Sequence, residues 1–444
     1  MNVEKEQLQL TYYVRSYLNK IKKENINQLK SVFCYFGIWG SCPGLSNARL
    51  LEKSFFGYIN FFFTTIKGIL AISKQSNFIT VNNNNKKKFS KLMVTWAYRK
   101  NFLLNGSLHD MFFNTNSRSL KKTLWFVIYM DDEIPKILDK NIVLFKKKKV
   151  FFQYNLFYLF KIILLNFFEN KCSLKKVFHS LSSNITLSDL IVDNIKNQTE
   201  ISKLNKIIAP YEAQPFQRYL FSYAKKINKN IRTVGYVHDM MALPINYVPL
   251  EGLPDVLLLH SFYQKKYLTN YFKWPEKRIK LISSMRFLKK KKKMNGKIFL
   301  PYTIVYPKRI ISEFESFLNS SKKKSIEKLE INIHPTSENF KTQLSLKSKL
   351  ERIMVDYKDR FKKDMKNRKL AVVIGLTSSV IEILENNVEV IHICPEPLFE
   401  CYNELFWPSI KKKQFSQYTY AYKLIKHGKC LKFGNRENML KKYC

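Results

Sequence analysis

The sequence predicts an α/β protein built from two Rossmann-like halves whose parallel sheets face a central cleft. From about residue 90 onward, short apolar runs rich in β-branched and aromatic residues alternate with longer helix-like segments. The alternation stops once, at the lysine run 289–293, and then starts again. Continuous apolar strands between helices are typical of parallel sheets covered on both faces, so each series predicts one open sheet.

The first series predicts the sheet of the N-terminal half. Its predicted strands cover residues 92–98, 124–130, 141–145, 206–210, 231–238 and 255–260. Predicted helices run from residue 212 to about 229 and from the end of the last strand to residue 271. We assign residues 1–290 to this domain, of which 1–90 form an extension without a diagnostic pattern.

The second series predicts a domain over residues 294–444. Strands are expected at 297–305, 329–335, 370–375 and 388–393, with helices at 308–319, across 340–365 and from residue 379. A last strand and helix are expected within 430–441. The lysine run between the two series is the predicted domain boundary.

The charge of the chain is extreme, with 77 Lys and Arg against 34 Asp and Glu, a formal net charge of +43. This balance favours anionic partners: nucleic acid, acidic lipid headgroups or phosphorylated substrates. An A/T-rich coding sequence is an alternative origin for the lysines, because Asn, Ile and Phe are abundant too. The seven cysteines are scattered without metal-ligand spacing, so neither a disulfide framework nor a metal site is predicted.

Two apolar segments, 54–73 and 150–168, contain polar residues every few positions, which argues against membrane-spanning helices. Their two remaining interpretations are buried core helices and helices lying at a membrane interface. The N-terminus has no apolar core of a signal peptide. We therefore expect a cytoplasmic protein, peripheral at the inner membrane if its basic surface meets anionic lipid.

Ligands of open α/β sheets bind at the carboxyl ends of strands, and the C-terminal half carries polar signals at three such ends. His334 and Pro335 end one predicted strand, where the imidazole can donate a hydrogen bond to a phosphate oxygen. Glu396 lies in a turn after the predicted strand at 388–393. Each signal is weak alone, but all three are expected at one edge of the sheet.

The stretch IGLTSSVIEI carries the strongest of these signals. Gly375 allows close approach of the backbone to a ligand, and Thr377, Ser378 and Ser379 then offer three hydroxyls at a predicted helix start. Ser379 and Glu382 also fit the S-x-x-E capping box, which is compatible with an anion site because a cap uses one hydroxyl. The stretch therefore predicts a phosphate site.

The N-terminal half places acids and imidazoles after successive strands. Glu212 follows the strand at 206–210, and His238 and Asp239 end the next one. A glycine loop carries His109 and Asp110. Acids and imidazoles gathered at one cleft are suited to proton transfer.

These residues occur in the ordered series YEAQPFQRYLFSYAKK, RTVGYVHD, LPDVLLLHSFYQKKYL, WPEKRIKLISSMRF, IHP and GLTSSVIEILENNVEVIHI. The series resembles bacterial GT-B-fold glycosyltransferases of surface carbohydrate biosynthesis, in particular the sialyltransferase- and polysialyltransferase-like group that uses CMP-activated sugars. The resemblance covers about residues 90–400. It implies GT-B architecture and an inverting, metal-independent transfer, without a cofactor, from a nucleotide-sugar to a glycan or lipid-linked acceptor.

The resemblance also implies roles for individual residues. The family's HP and Ser/Thr-Ser/Thr motifs bind the CMP phosphate and match His334-Pro335 and Ser378-Ser379. Glu382 matches the acid that binds the nucleotide ribose in GT-B enzymes. The C-terminal domain is thus expected to bind the donor, and the N-terminal domain the acceptor.

The family's acid-acid-Gly motif, whose acid is the general base, is missing from this sequence. The nearest glycine loop reads Leu104-Asn105-Gly106. Asp110, Glu212 and His238 therefore remain candidates for the base, with Glu212 and Asp110 preferred.

Three alternative functions remain. CDP-glycerol-dependent glycerophosphotransferases share the fold and both phosphate motifs. A nucleic-acid-binding protein would explain the charge, but no RNP, helix-turn-helix or finger pattern is present, so no specific nucleic acid is expected. A non-catalytic GT-B scaffold would explain the missing base motif.

Overall fold

The computed structural model describes residues 2–23, 78–81, 89–147, 183–249, 252–289, 294–320, 326–327, 329–335, 340–358, 361–362 and 369–434, and single residues 164, 337, 440 and 443. Within these residues the predicted α/β class, with two mainly parallel sheets, is confirmed. The apolar segments 54–73 and 150–168, apart from residue 164, lie outside the described residues. The lysine run predicted as the domain boundary also lies outside the described residues after Lys289. The division into two domains therefore stays a prediction.

The strands and helices are named in chain order. The strands are β1 (Phe78–Val81), β2 (Lys91–Ala97), β3 (His109–Asp110), β4 (Thr115–Asn116), β5 (Thr123–Tyr129), β6 (Ile142–Lys147), β7 (Lys206–Pro210), β8 (Arg232–Tyr236), β9 (Val256–Leu259), β10 (Ile279–Leu281), β11 (Lys297–Phe299), β12 (Ile326–Glu327), β13 (Glu330–Asn332), β14 (Phe361–Lys362), β15 (Leu370–Ile374), β16 (Glu389–Ile393), β17 (Ile410–Gln414) and β18 (Thr419–Leu424). The helices are α1 (Val3–Lys23), α2 (Ser183–Gln198), α3 (Pro215–Ile227), α4 (Phe262–Asn270), α5 (Pro307–Ser320), α6 (Lys341–Asp356), α7 (Ser379–Glu385) and α8 (Pro397–Glu400).

The larger sheet has the strand order β1-β6-β5-β2-β7-β8-β9-β10. Its strands pair in parallel, except that β1 pairs antiparallel with β6 at one edge. Every residue of β5 is buried, as expected for a central strand of a sheet covered on both faces. The continuous apolar run at 124–130 therefore predicted this strand well.

The smaller sheet has the order β13-β11-β15-β16-β18-β17. Its first four strands are parallel, but β18 and β17 add an antiparallel hairpin at the edge. A strand was predicted within 430–441, but the described residues 430–434 and 440 form none, and the other residues of this segment lie outside the described part of the chain. Gly434 makes only an isolated bridge with Leu288, and the described residues 440 and 443 are helical.

Helix α1 connects the two halves. Gln7 Nε2 donates to the carbonyls of Leu398 at 3.0 Å and Cys401 at 2.8 Å, both near α8 of the C-terminal half. Four residues later, Thr11 Oγ1 and Tyr267 OH are 2.8 Å apart, which ties the helix to α4 of the N-terminal half. The buried polar stripe of α1 is thus satisfied from both sides.

The chain after β18 returns to the N-terminal half. Lys429 O accepts from Phe262 N at 3.0 Å, and Lys432 N donates to His260 O at 2.8 Å. Lys432 O in turn accepts from Ser284 N at 2.8 Å. Among the described helices, none combines the length and the apolar character needed to cross a membrane.

Candidate functional site

The carboxyl ends of the two sheets face each other, because loops that follow their strands touch directly. Lys100, after β2, donates through Nζ to Pro335 O at 2.7 Å, in the loop after β13. Met240, after β8, donates through its backbone N–H to Ser378 Oγ at 2.9 Å, in the loop after β15. Both contacts join the predicted acceptor side to the predicted donor side.

Glu212 and His238 form a pair at the ends of β7 and β8. Glu212 Oε1 lies 3.3 Å from His238 Nε2, and its Oε2 accepts from Gln214 Nε2 at 2.6 Å. The Glu212 side chain is 31% exposed, whereas that of His238 is 5% exposed. Glu212 is therefore the member of the pair that an acceptor hydroxyl can reach.

The surroundings of Glu212 keep it ionised. Burial would raise its pKa, but hydrogen bonding and charge from His238, with smaller contributions from Gln214 and Arg286, outweigh burial and lower the pKa below its ordinary value of 4.5. A carboxylate with a lowered pKa stabilises the fold above its unfolded pKa, and that stabilisation is lost as the pH falls through the folded pKa. At neutral pH the group is a charged proton acceptor.

His238 is held between aromatic and cationic neighbours. Its ring lies 4.5 Å from the ring of Phe112 in an edge contact, and Arg286 Nη1 lies 3.5 Å from the His238 carbonyl. Its Nδ1 is buried without a hydrogen-bond partner in the described structure. His238 therefore positions Glu212 through Nε2 and is closed to a large substrate.

The carboxylate of Asp110 is engaged in hydrogen bonds within the fold. Its Oδ1 accepts from the backbone N–H groups of Phe112 at 2.9 Å and Phe113 at 2.7 Å, and its Oδ2 accepts from Thr95 Oγ1. The side chain is buried, and burial raises its pKa. With both oxygens engaged in an Asx-type turn, Asp110 is the weaker candidate for the base. His109 beside it is exposed.

Asp239 is also engaged within the fold. Tyr247 OH donates to its Oδ1 at 2.8 Å, and Gln264 Nε2 donates to its carbonyl at 2.9 Å. Burial raises the pKa of the Asp239 carboxyl. These bonds fix the loop between His238 and Met240, and so fix the direction in which His238 points.

The backbone N–H and the backbone carbonyl of Met240 both hydrogen-bond to residues of the predicted donor side. Its N–H donates to Ser378 Oγ, and its carbonyl accepts from Tyr402 OH at 2.6 Å. Because a hydroxyl has one proton and two acceptor sites, Ser378 keeps its own proton for a ligand. Sequence patterns gave no sign of Met240 or Tyr402, since neither belongs to a local motif.

Thr377 and Ser379 hydrogen-bond to each other. Thr377 Oγ1 donates to Ser379 Oγ at 3.1 Å and accepts from Ser379 N at 3.2 Å. The capping box predicted for Ser379 and Glu382 is wrong, because α7 begins at Ser379 and its N-cap is Ser378, which makes no side-chain cap. Instead, Thr377 Oγ1 accepts the hydrogen bond from Ser379 N at the start of the helix. Glu382 lies half-buried in the first turn of α7.

Gly375 makes the turn that presents these hydroxyls. Its φ is +65°, in the left-handed region that favours glycine. A Cβ atom there would lie 3.1 Å from Pro301 Cγ. Its N–H donates to Ile393 O, and its carbonyl contacts His392 Nε2, both at 2.8 Å. The turn is thus anchored to the neighbouring strand.

His334 and Pro335 lie at the same edge of the smaller sheet. The ring of Tyr302, which follows β11, packs against His334 at 5.6 Å, and the His334 carbonyl accepts from Ser337 N at 2.9 Å. Strand β11 separates β13 from β15, so the strand ends that carry His334 and Gly375 are about 10 Å apart. Tyr302 lies inside the strand predicted at 297–305, whereas the observed strand β11 ends at Phe299, so the predicted strand end did not locate Tyr302.

Glu396 and Glu400 lie at the start and the end of α8, and Glu400 is close to the turn at Gly375. Burial raises the pKa of Glu396, and the charge of Arg309 opposes this. Glu400 is 3% exposed; burial raises its pKa to about 8, although its Oε2 accepts from Glu396 N at 2.9 Å. No group of His, Cys, Asp or Glu in the described part of the chain is placed to hold a metal ion.

Glu400 predicts a pH-dependent stability. A raised folded pKa stabilises the fold fully below the unfolded value of 4.5, and that stabilisation is lost as the pH rises through about 8. Glu400→Gln stays neutral, so we expect it to be more stable than the wild type at pH 8.5 by about 1 kcal/mol or more, and similar at pH 5. Urea unfolding at both pH values measures this. Parallel curves for the two proteins would contradict it, and Glu351→Gln, on the exposed face of α6, is the control.

Comparisons with known proteins identify no family. No protein-family model matches the chain, and no curated protein matches it. A crystal structure of a glycosyltransferase from Rickettsia africae ESF-5 is similar at 11% sequence identity and a TM-score of 0.33, covering 72% of this chain and 88% of that one. A likeness this weak carries no functional argument, so function is inferred from the site itself.

Proposed function

We propose that this chain is an inverting, metal-independent glycosyltransferase that moves a sugar from a CMP-activated donor to a surface glycan or lipid-linked acceptor. The observation that carries the proposal is the meeting of two chemically different strand-end loops. One side offers the ionised carboxylate of Glu212; the other offers the hydroxyls of Thr377, Ser378 and Ser379. Met240 bonds the two directly.

On the donor side, the proposed ligand is the phosphate of the nucleotide-sugar. When the glycosidic bond breaks, charge collects on the phosphate oxygens, and donors already aimed at that position lower the barrier. The protons of Ser378 and Ser379 and the imidazole of His334 are the groups assigned to this role. Glu382 is assigned to the nucleotide ribose, as the resemblance implies.

On the acceptor side, the proposed base is Glu212. Its carboxylate takes the proton of the acceptor hydroxyl while the hydroxyl oxygen attacks the anomeric carbon. The bond from that carbon to the phosphate oxygen breaks, and CMP leaves toward the donor loops. Glu212 and the donor loops belong to opposite sides of the cleft, which fits a single displacement with inversion.

A nucleotide panel tests the donor class. Ligands that bind only the folded state raise the melting temperature, by the equivalent of about 2.7 kcal/mol at a hundred times Kd. We expect CMP and CDP to raise it more than UDP or GDP. Inorganic pyrophosphate at equal concentration is the control for charge, because a chain with net charge +43 binds many anions. Equal shifts for every anion would contradict a nucleotide site.

Turnover assays separate the two related reactions. Release of CMP from CMP-activated sugars, with sugar appearing on an acceptor, would support the proposal. Turnover of CDP-glycerol alone would assign glycerophosphate transfer instead. Cytidine nucleotide binding with no turnover of either donor would favour the non-catalytic scaffold.

A further inference from the structure

The hairpin β17–β18 presents a basic face at the edge of the smaller sheet. Lys411 pairs with Lys423 and Lys413 pairs with Ala421, so the three lysines lie on one face of the hairpin. All three are exposed. We call Lys411, Lys413 and Lys423 the basic face. Like charges placed directly opposite each other weaken a strand pair, so this arrangement is not explained by the stability of the hairpin.

The acids Glu4, Glu313 and Glu404 contact other parts of the hairpin than the basic face. Lys412, which points to the opposite face, pairs with Glu4 of α1 at 2.8 Å. Glu313 of α5 accepts from Thr419 Oγ1 at 2.6 Å. Glu404 accepts from the backbone of Lys412 at 3.0 Å. Neither β17 nor β18 contains an acidic residue. None of these three acids pairs with a lysine of the basic face, so the face presents unpaired positive charge on this side of the described hairpin.

Apolar side chains flank the basic face. Phe415, at the turn, is 44% exposed, and Ile425, at the other end, is 58% exposed. Phe415 N bonds to Thr419 O and Ile425 N bonds to Ser409 O, so the two side chains lie six strand positions, or about 20 Å, apart. Lysine on an edge strand commonly prevents sheet-to-sheet aggregation. Exposed Phe and Ile beside it work against that purpose.

We infer that the basic face docks on an anionic lipid surface, with Phe415 and Ile425 entering the interface between headgroups and acyl chains. Lysines with interspersed apolar side chains suit this boundary, since each lysine gains from anionic headgroups and the apolar groups leave water. A polyanion such as a nucleic acid would use the lysines but gain little from Ile425. This surface is separate from the proposed active site, so either inference can fail alone.

Vesicle flotation of the full-length protein tests the inference. The test variant carries Lys411→Gln, Lys413→Gln and Lys423→Gln. The matched control carries Lys226→Gln, Lys277→Gln and Lys280→Gln, which are exposed lysines of the N-terminal half. Both variants have the same net charge. On phosphatidylglycerol vesicles we expect affinity to fall about a hundredfold for the test variant and less than about threefold for the control.

Phe415→Ser examines the apolar contribution separately. We expect it to lower the fraction that stays bound at about 0.5 M salt, where charge attraction is screened. Melting temperatures verify that each variant is folded. Equal losses for the two triple variants would overturn the inference, because the whole charge of the chain would then explain binding. Binding to a single-stranded oligonucleotide but not to phosphatidylglycerol vesicles would also overturn it.

Discussion

Replacing Glu212 with glutamine is expected to lower kcat by about 10²–10⁴-fold while leaving the fold intact. Glutamine keeps the size of the side chain and still accepts a hydrogen bond from His238, but it cannot take a proton. The expected loss is therefore in turnover rather than in donor binding. Release of CMP from the preferred donor, measured with and without acceptor, gives kcat, and calorimetry with CMP gives the donor affinity.

Asp110→Asn is the matched control for Glu212→Gln, since it removes the same charge from the other preferred base candidate. The Asp110 carboxylate holds a buried turn, so we expect the Asp110→Asn variant to have a free energy of unfolding about 1–3 kcal/mol lower than the wild type. Turnover per folded molecule should stay within about threefold. If Asp110→Asn abolished turnover in a folded protein while Glu212→Gln did not, Asp110 would be the base.

His334→Ala is expected to lower kcat by about 10²–10³-fold, the usual cost of removing one donor that stabilises charge in the transition state. The imidazole lies half-buried at the edge of the smaller sheet, where it packs against Tyr302. The bonds from Ser337 go to the His334 backbone carbonyl, so the loop keeps its anchor in the variant. Steady-state kinetics with saturating donor measures the change.

His109→Ala is the control for this second variant. His109 is an exposed histidine of the N-terminal half, and its removal is expected to leave kcat unchanged. A His334→Ala protein with kcat within about threefold of the wild type would contradict the assignment of His334 to the leaving phosphate. Equal losses in both variants would point to general loss of structure, which a melting curve would detect.

The buried parallel strands were predictable because their environment is uniform. Strands such as β5 and β15 are covered on both faces, so their sequences are continuous apolar runs. The hairpin β17–β18 was missed because IKKKQ has no such run. As an edge strand it is half exposed, and only its pairing with β18 makes it a strand. Helix α1 was missed because its buried Gln7 and Thr11 look solvent-facing in the sequence.

The positions of the candidate site residues at strand ends were predictable from the sequence, but the hydrogen bonds that join them were not. The rule that ligands bind at strand ends predicts Glu212, His238, His334 and the loop at 375–379 as site residues from the sequence alone. The bond between Met240 and Ser378 joins residues 138 positions apart, and no local pattern encodes it. The displaced cap at Ser378 has a local cause. Thr377 Oγ1 accepts from Ser379 N and Ser378 is the N-cap, so the helix starts one residue earlier than the S-x-x-E pattern indicates.

The position of α1 has a consequence for synthesis on the ribosome. The amide of Gln7 binds the carbonyl of Cys401, 394 residues later, so α1 leaves the ribosome long before its docking surface exists. At about 5–20 residues per second, the Gln7 amide waits for roughly 20–80 s before its partner carbonyl is made. The docking of α1 through Gln7 is thus completed only after the much later segment around Cys401 has been made and packed.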